Sequence, residues 1–128
     1  VNTKRMADTL CEDLKTQSLR ADVLHGDINQ QKRERIMNSF RTGRLDILVA
    51  TDVAARGIDV RNIDLVVNYD LPIDSESYVH RIGRTGRAEK MGTAHTLIYR
   101  RETRKLNEIM TDTKAAIQRM APSLAAAV

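Results

Sequence analysis

The chain has 128 residues and a single cysteine, enough for one domain with a real core but excluding an internal disulfide and a cysteine-built zinc site. Hydrophobic residues make up 41% and charged residues 30%, a balance that excludes a disordered chain, and no apolar run reaches the ~20 residues a bilayer span needs. The net charge of +4 favours a polyanionic partner, whereas 3% aromatics with no Trp argues against reading single strands by stacking bases.

The chain opens at Val1-Asn2-Thr3 without a methionine and reads as part of a longer protein, in a reducing, cytoplasmic setting with no membrane contact. Ala7, Leu10, Cys11 and Leu14 recur at i, i+3, i+4 and i+7, the apolar face of a helix, so Cys11 is a core residue rather than a reactive thiol. Ala21 to Leu24 is a short strand that stops at His25-Gly26-Asp27. Asn29 caps the next helix, which buries Ile36, Met37 and Phe40 and ends at Thr42-Gly43. Its other face carries Lys32, Arg33 and Arg35, followed by Arg41 and Arg44: a solvated basic face or a nucleic-acid contact.

Ile47 to Ala50 is a continuous apolar run, as in a parallel strand covered on both faces, and Leu65 to Val67 is a second. Between them, Thr51 or Asp52 starts a helical turn that Gly57 ends. Leu71-Pro72 stops the second strand, and Ser75 caps a helix with Tyr78, Val79 and Ile82. Gly92 to Tyr99 forms a last strand and Arg101 to about Met110 a last helix. Helices and strands thus alternate throughout, which predicts an α/β domain with a mainly parallel sheet and helices on both faces. Residues 1–110 form the domain, and 111–128 form an Ala-rich helical or poorly ordered tail.

Ligands of open α/β sheets bind beyond the carboxyl ends of the strands. Three unusual segments fall there: His25 to Asp27, Thr51 to Asp59, and His80 to Arg87. In the third, Arg81, Arg84 and Arg87 stand three apart, which puts at least the first two on one helical face, and Gly83 and Gly86 clear space beside them. Rigid guanidiniums aimed at one place suit phosphate, because the planar fork makes paired bonds to its oxygens. In the second, Asp59 is an acceptor suited to a ribose diol, and Thr51 offers a hydroxyl and a backbone N–H. A capped turn explains the same residues without a ligand. No phosphate-cradling Gly-x-x-x-x-Gly-Lys loop is present, His25, His80 and His95 are too scattered for a metal centre, and no Gly-x-Ser-x-Gly supports a serine nucleophile.

Taken in order, these segments resemble the motifs of the DEAD-box RNA helicases. Val1 to Lys4 resembles the end of motif IV, Gln30 to Arg33 the Gln-x-x-Arg motif, and Ala50 to Asp59 motif V. His80 to Arg87 matches motif VI throughout. The stretches Gly43 to Val49 and Asp74 to Tyr78 are similar to the bacterial cold-shock branch. The resemblance spans about residues 1–110 and implies a single RecA-like fold, the second, C-terminal one of the helicase. By resemblance, Arg84 and Arg87 are the arginine fingers of ATP hydrolysis, and Gly57 and Asp59 lie at the nucleotide, Asp59 on its ribose. Thr3, Gly26, Arg33 and Thr51 hold the RNA backbone, while His80 and Arg81 couple ATP to closure against the N-terminal RecA-like domain. That first domain would hold most of the ATP and Mg2+, so this chain alone is expected to be inactive. A non-enzymatic RNA-binding domain and a DNA translocase of the same superfamily are the competing readings, separated by nucleotide-dependent RNA affinity and by a ribo- against deoxyribo-oligonucleotide comparison.

Overall fold

The structure, a computed structural model, describes residues 1–56, 58, 63–85 and 92–121. Helix α1 (Lys4–Thr16) starts where the Thr3 hydroxyl accepts the Met6 N–H at 3.1 Å. Strand β1 (Ala21–Leu24) leads to α2 (Gln30–Arg41), capped as expected by Asn29, whose side chain accepts the Lys32 N–H at 2.8 Å. Gly43 follows α2 at φ +78°, a left-handed turn that glycine adopts without strain. Strand β2 (Ile47–Ala50), the short α3 (Asp52–Ala55), β3 (Leu65–Asn68), α4 (Ser75–Ile82), β4 (Thr93–Thr96) and α5 (Thr103–Thr113) complete the order, with a 3₁₀ turn at Arg100–Glu102.

The alternation is the expected one, and both strand pairs are parallel. β1 runs beside β2 with Ala21 opposite Ile47, and β3 beside β4 with Leu65 opposite Thr93. Among the described residues the ladders make two two-stranded sheets, β1-β2 and β3-β4, rather than one continuous sheet. Val1 and Asn2 lie between them. The Val1 amino group donates to the Ala50 carbonyl at 3.0 Å, and the Asn2 N–H donates to the Asp70 carboxylate at 2.9 Å.

Strand geometry sorts the β1-β2 core into two layers, because successive side chains point to opposite faces. Ala21, Val23, Ile47 and Val49 pack with Ala7, Cys11 and their neighbours on α1. Leu24, Leu48 and Ala50 pack with Ile36 and Met37 on α2 and with Ala54 of α3. Cys11 is 1% exposed, in the core position its spacing predicts. A third cluster joins Leu71, Tyr78 and Ile109, with Ile82 and Leu106 against it, and so seats α5 on α4.

Three expectations are corrected. Leu65 and Val67 are 47% and 48% exposed, so among the described residues β3 is not covered on both faces as β2 is. The last strand stops at Thr96, and Leu97, Ile98 and Tyr99 are exposed beyond it. The cap of α4 is Asp74, which accepts the Ser77 N–H at 2.7 Å, while the Ser75 hydroxyl donates to Asp112 of α5 at 2.8 Å. Helix α5 runs to Thr113, and beyond it Ala115 and Ile117 pack on the third cluster.

Candidate functional site

The carboxyl ends of β1 and β2 gather the first set of candidates. Thr3 begins α1, and Lys4 beside it reaches the Asp27 carboxylate at 3.1 Å, which brings the start of α1 against the turn holding Gly26. Gly26 is exposed, and a Cβ there would meet nothing within 4 Å, so that backbone is open to a partner. The Thr3 hydroxyl accepts a cap bond yet keeps its own O–H to donate. Arg33 is half-buried. It shares the inward stripe of Ile36, Met37 and Phe40, and its Nη2 donates to the Ala54 carbonyl at 2.9 Å, tying α2 to α3. Lys32, Arg35, Arg41 and Arg44 are exposed.

Thr51 is 6% exposed and engaged internally. Its N–H donates to the Leu24 carbonyl at 3.2 Å, and its hydroxyl accepts the Ala54 N–H at 3.4 Å. Thr51 thus starts a capped turn and keeps its own O–H to donate, while Gly57, the expected end of that turn, lies outside the described residues.

Arg81 is the hub of the second set. It is 8% exposed and makes four bonds. Nε and Nη2 grip the two Asp52 carboxylate oxygens at 2.7 and 2.9 Å, Nη1 donates to the Asp70 carbonyl at 2.7 Å, and Nη2 also reaches the Asn2 side-chain oxygen at 2.5 Å. A buried guanidinium needs such partners to offset its desolvation. Burial pushes the Asp52 carboxyl up, but the Arg81 bonds and charge outweigh it and hold the group below the usual carboxylate value.

The expectation that Arg81 and Arg84 share a helical face is not met. Helix α4 ends at Ile82 with Gly83 as its cap, where a Cβ would come within 3.1 Å of the Val79 carbonyl. Arg84 lies in the turn beyond. Its Nη1 donates to the Ile58 carbonyl at 2.7 Å, and Thr85 next to it bonds the Ile63 carbonyl through its hydroxyl. Arg84, His80 and Arg56 border a shallow recess whose floor includes Asp52 and Arg81. Gly57, Asp59, Gly86 and Arg87 lie outside the described residues.

The partners of Arg81 were not singled out from sequence. One signal was present: Tyr78, Arg81 and Ile82 stand at i, i+3 and i+4, so an arginine sits on the apolar stripe of its helix. Such a side chain turns inward and must find a carboxylate, which Asp52 provides.

The family profile described as the helicase conserved C-terminal domain matches residues 1–89. A DEAD-box ATP-dependent RNA helicase, CshA of Geobacillus kaustophilus, is 49% identical over 94% of this chain. The chain spans only 26% of that relative's length. Among solved structures, a DEAD box protein from the hyperthermophile Methanococcus jannaschii superposes with a TM-score of 0.88 at 44% identity, over 94% of this chain and 33% of that one. A Dbp5 variant of S. cerevisiae bound to RNA and ADP BeF3 superposes with a TM-score of 0.80 at 40% identity, over 87% of this chain and 30% of that one.

Proposed function

Because this chain belongs to the helicase conserved C-terminal domain family, in its DEAD-box branch, we propose that it serves as the second RecA-like half of a cytoplasmic ATP-dependent RNA helicase. The observation that carries the proposal is the position of Arg84, held by the Ile58 carbonyl at the rim of a recess with His80 and Arg56 beside it. A guanidinium fixed at one nitrogen keeps others to aim at phosphate oxygens, and it needs no reorganisation at the moment of reaction.

Bound Mg2+-ATP supplies the phosphoryl group to be transferred, and the N-terminal RecA-like domain holds most of it. On closure of the two domains, Arg84 and Arg87 donate to the phosphoryl oxygens. Asp59, two positions after Gly57 in sequence, accepts from the ribose hydroxyls. Arg81 fixes Asp52 and the base of α4, and His80 on the same helix faces the closing partner, so the pair couples nucleotide to closure. Thr3, Gly26, Arg33 and Thr51 hold the RNA backbone, which gives low sequence preference because phosphate contacts position without reading bases. The neighbour bound to RNA and ADP BeF3 supports this pairing of ligands. Without the first domain, this chain is inactive.

The test is Arg84→Lys and Arg87→Lys in the full-length protein. Lysine keeps the charge and loses the planar fork, so kcat should fall about tenfold or more for a finger of the usual worth, with ATP affinity changing less. A kcat within about twofold of wild type for both variants removes the finger assignment and leaves an RNA-binding domain.

A further inference from the structure

His25 has no part in the reading above, yet it is a buried polar side chain with both ring nitrogens engaged. It follows β1 directly and is 7% exposed. Its Nε2 lies 2.9 Å from the Asp8 carboxylate of α1, and its Nδ1 accepts the Asp27 N–H at 3.2 Å. The Ile28 N–H closes the turn on the His25 carbonyl at 3.1 Å. A neutral ring with its proton on Nε2 serves both side-chain contacts, donating to Asp8 and accepting from Asp27. Asp27 is held in turn by Lys4, one helical turn before Asp8 on α1. Two side chains of one helix face therefore clamp the turn that carries Gly26, one through the imidazole and one through the carboxylate.

We propose that His25 is a positioning residue for RNA. Its ring fixes the Gly26 turn against the first turns of α1, and so sets the spacing between the open Gly26 backbone and the Thr3 hydroxyl. The proposal rests on the RNA-track reading of Thr3, Gly26 and Arg33. If those groups touch one sugar-phosphate backbone, their separation has to match its repeat, and the Asp8–His25–Asp27 chain is the contact that holds it. The effect then falls on RNA affinity rather than on chemistry.

The experiment is RNA-stimulated ATPase in the full-length protein, read as the KM for RNA and as kcat at saturating RNA. Asp8 is exposed, so Asp8→Ala leaves the core intact. It should raise the KM for RNA by about threefold to fivefold, the worth of one lost hydrogen bond, with kcat within about twofold of wild type. Asp8→Asn, whose amide oxygen still accepts from Nε2, should restore most of the affinity. Within the ring, His25→Asn places an oxygen where Nδ1 was and keeps the Asp27 bond, whereas His25→Gln mimics Nε2 and loses it. The Asn variant, which loses the link to Asp8 on α1, should therefore have the higher KM for RNA, and a higher value for the Gln variant counts against the proposal. A wild-type KM in Asp8→Ala, or equal values for Asp8→Ala and Asp8→Asn, overturns the proposal. Arg33→Ala separates this from a failure of the track itself: an unchanged KM for RNA in that variant removes the track reading, whereas a raised KM beside a silent Asp8→Ala removes only the role of His25.

Discussion

Two strands of this chain, Ile47–Ala50 and Leu65–Asn68, are alike in length, in apolar character and in parallel pairing, yet they meet different surroundings. β2 has α1 on one face and α2 on the other. β3 packs near α4, and Leu65 and Val67 stay about half-exposed. An apolar run shows that a strand can be buried; whether it is buried depends on what the rest of the chain lays over it. The tightly covered pair carries the Gly26 turn, and the sparsely covered pair leads into α4 and Arg84. Among the described residues, the two halves of the proposed site therefore rest on strands of unequal burial.

The comparison breaks most visibly in stability. Leu24 on β1 is fully buried, and Leu24→Ala should cost about 3 kcal/mol or more. Leu65→Ala on β3 removes the same atoms from a half-exposed site and should cost under about 1 kcal/mol. Urea unfolding midpoints check this, and equal losses would mean the two pairs are equally packed.

Arg81 joins the halves, so Arg81→Ala should cost about 2–3 kcal/mol by stranding the half-buried Asp52 carboxylate. Adding Asp52→Ala should recover part of that loss, since it removes the stranded charge. A double variant whose loss equals the sum of the two single losses would show that the pair is not coupled.

The same pair sets an acid limit. The folded carboxyl of Asp52 lies below its ordinary value of 3.8, so its stabilisation is fully present above that pH and is lost as pH falls through the folded value. Wild type should therefore lose stability more steeply than Asp52→Asn as the solution is acidified below 3.8. Parallel pH profiles would contradict the assignment.

A signal in reactivity rather than in stability comes from Cys11. Burial pushes its thiol up, against the pull of Lys15, and the side chain is shut in the α1 layer. A thiol reagent at neutral pH should react about a hundredfold more slowly than in denaturant, because the thiolate is the nucleophile. Fast labelling of the folded protein would show that α1 opens readily.

Local rules were legible and distant partnerships were not. Asn29 as cap, Gly43 as helix stop, Cys11 as core and the order of elements each depend on a few neighbouring residues, and each stands as read. Asp74 displaced Ser75 as the cap of α4 because two adjacent short polar residues can both accept the same N–H; Ser75 found a donor role to Asp112 on a helix 37 positions away. Spacing by threes suggested that at least Arg81 and Arg84 share one helical face. Arg81 instead lies on the apolar stripe and turns inward, and Gly83 ends the helix before Arg84 is reached. No local pattern announces that Asn2 and Asp52 meet at one guanidinium, since that contact exists only once the sheet edges are assembled.

The reach of that guanidinium also bears on the order in which the molecule takes shape. Arg81 bonds residues 79, 29 and 11 positions away along the chain. Closing a long loop has an entropic cost that grows with its length, and contacts across such separations slow folding. Each parallel pair spans less than the longest of these: β1 meets β2 26 positions on, where Ala21 faces Ile47, and β3 meets β4 28 positions on, where Leu65 faces Thr93. By this measure the link from Arg81 to Asn2 is expected to close late, on strand pairs already formed. Arg81→Ala should then speed unfolding while leaving the refolding rate nearly unchanged, the signature of a contact made after the folding barrier has been crossed.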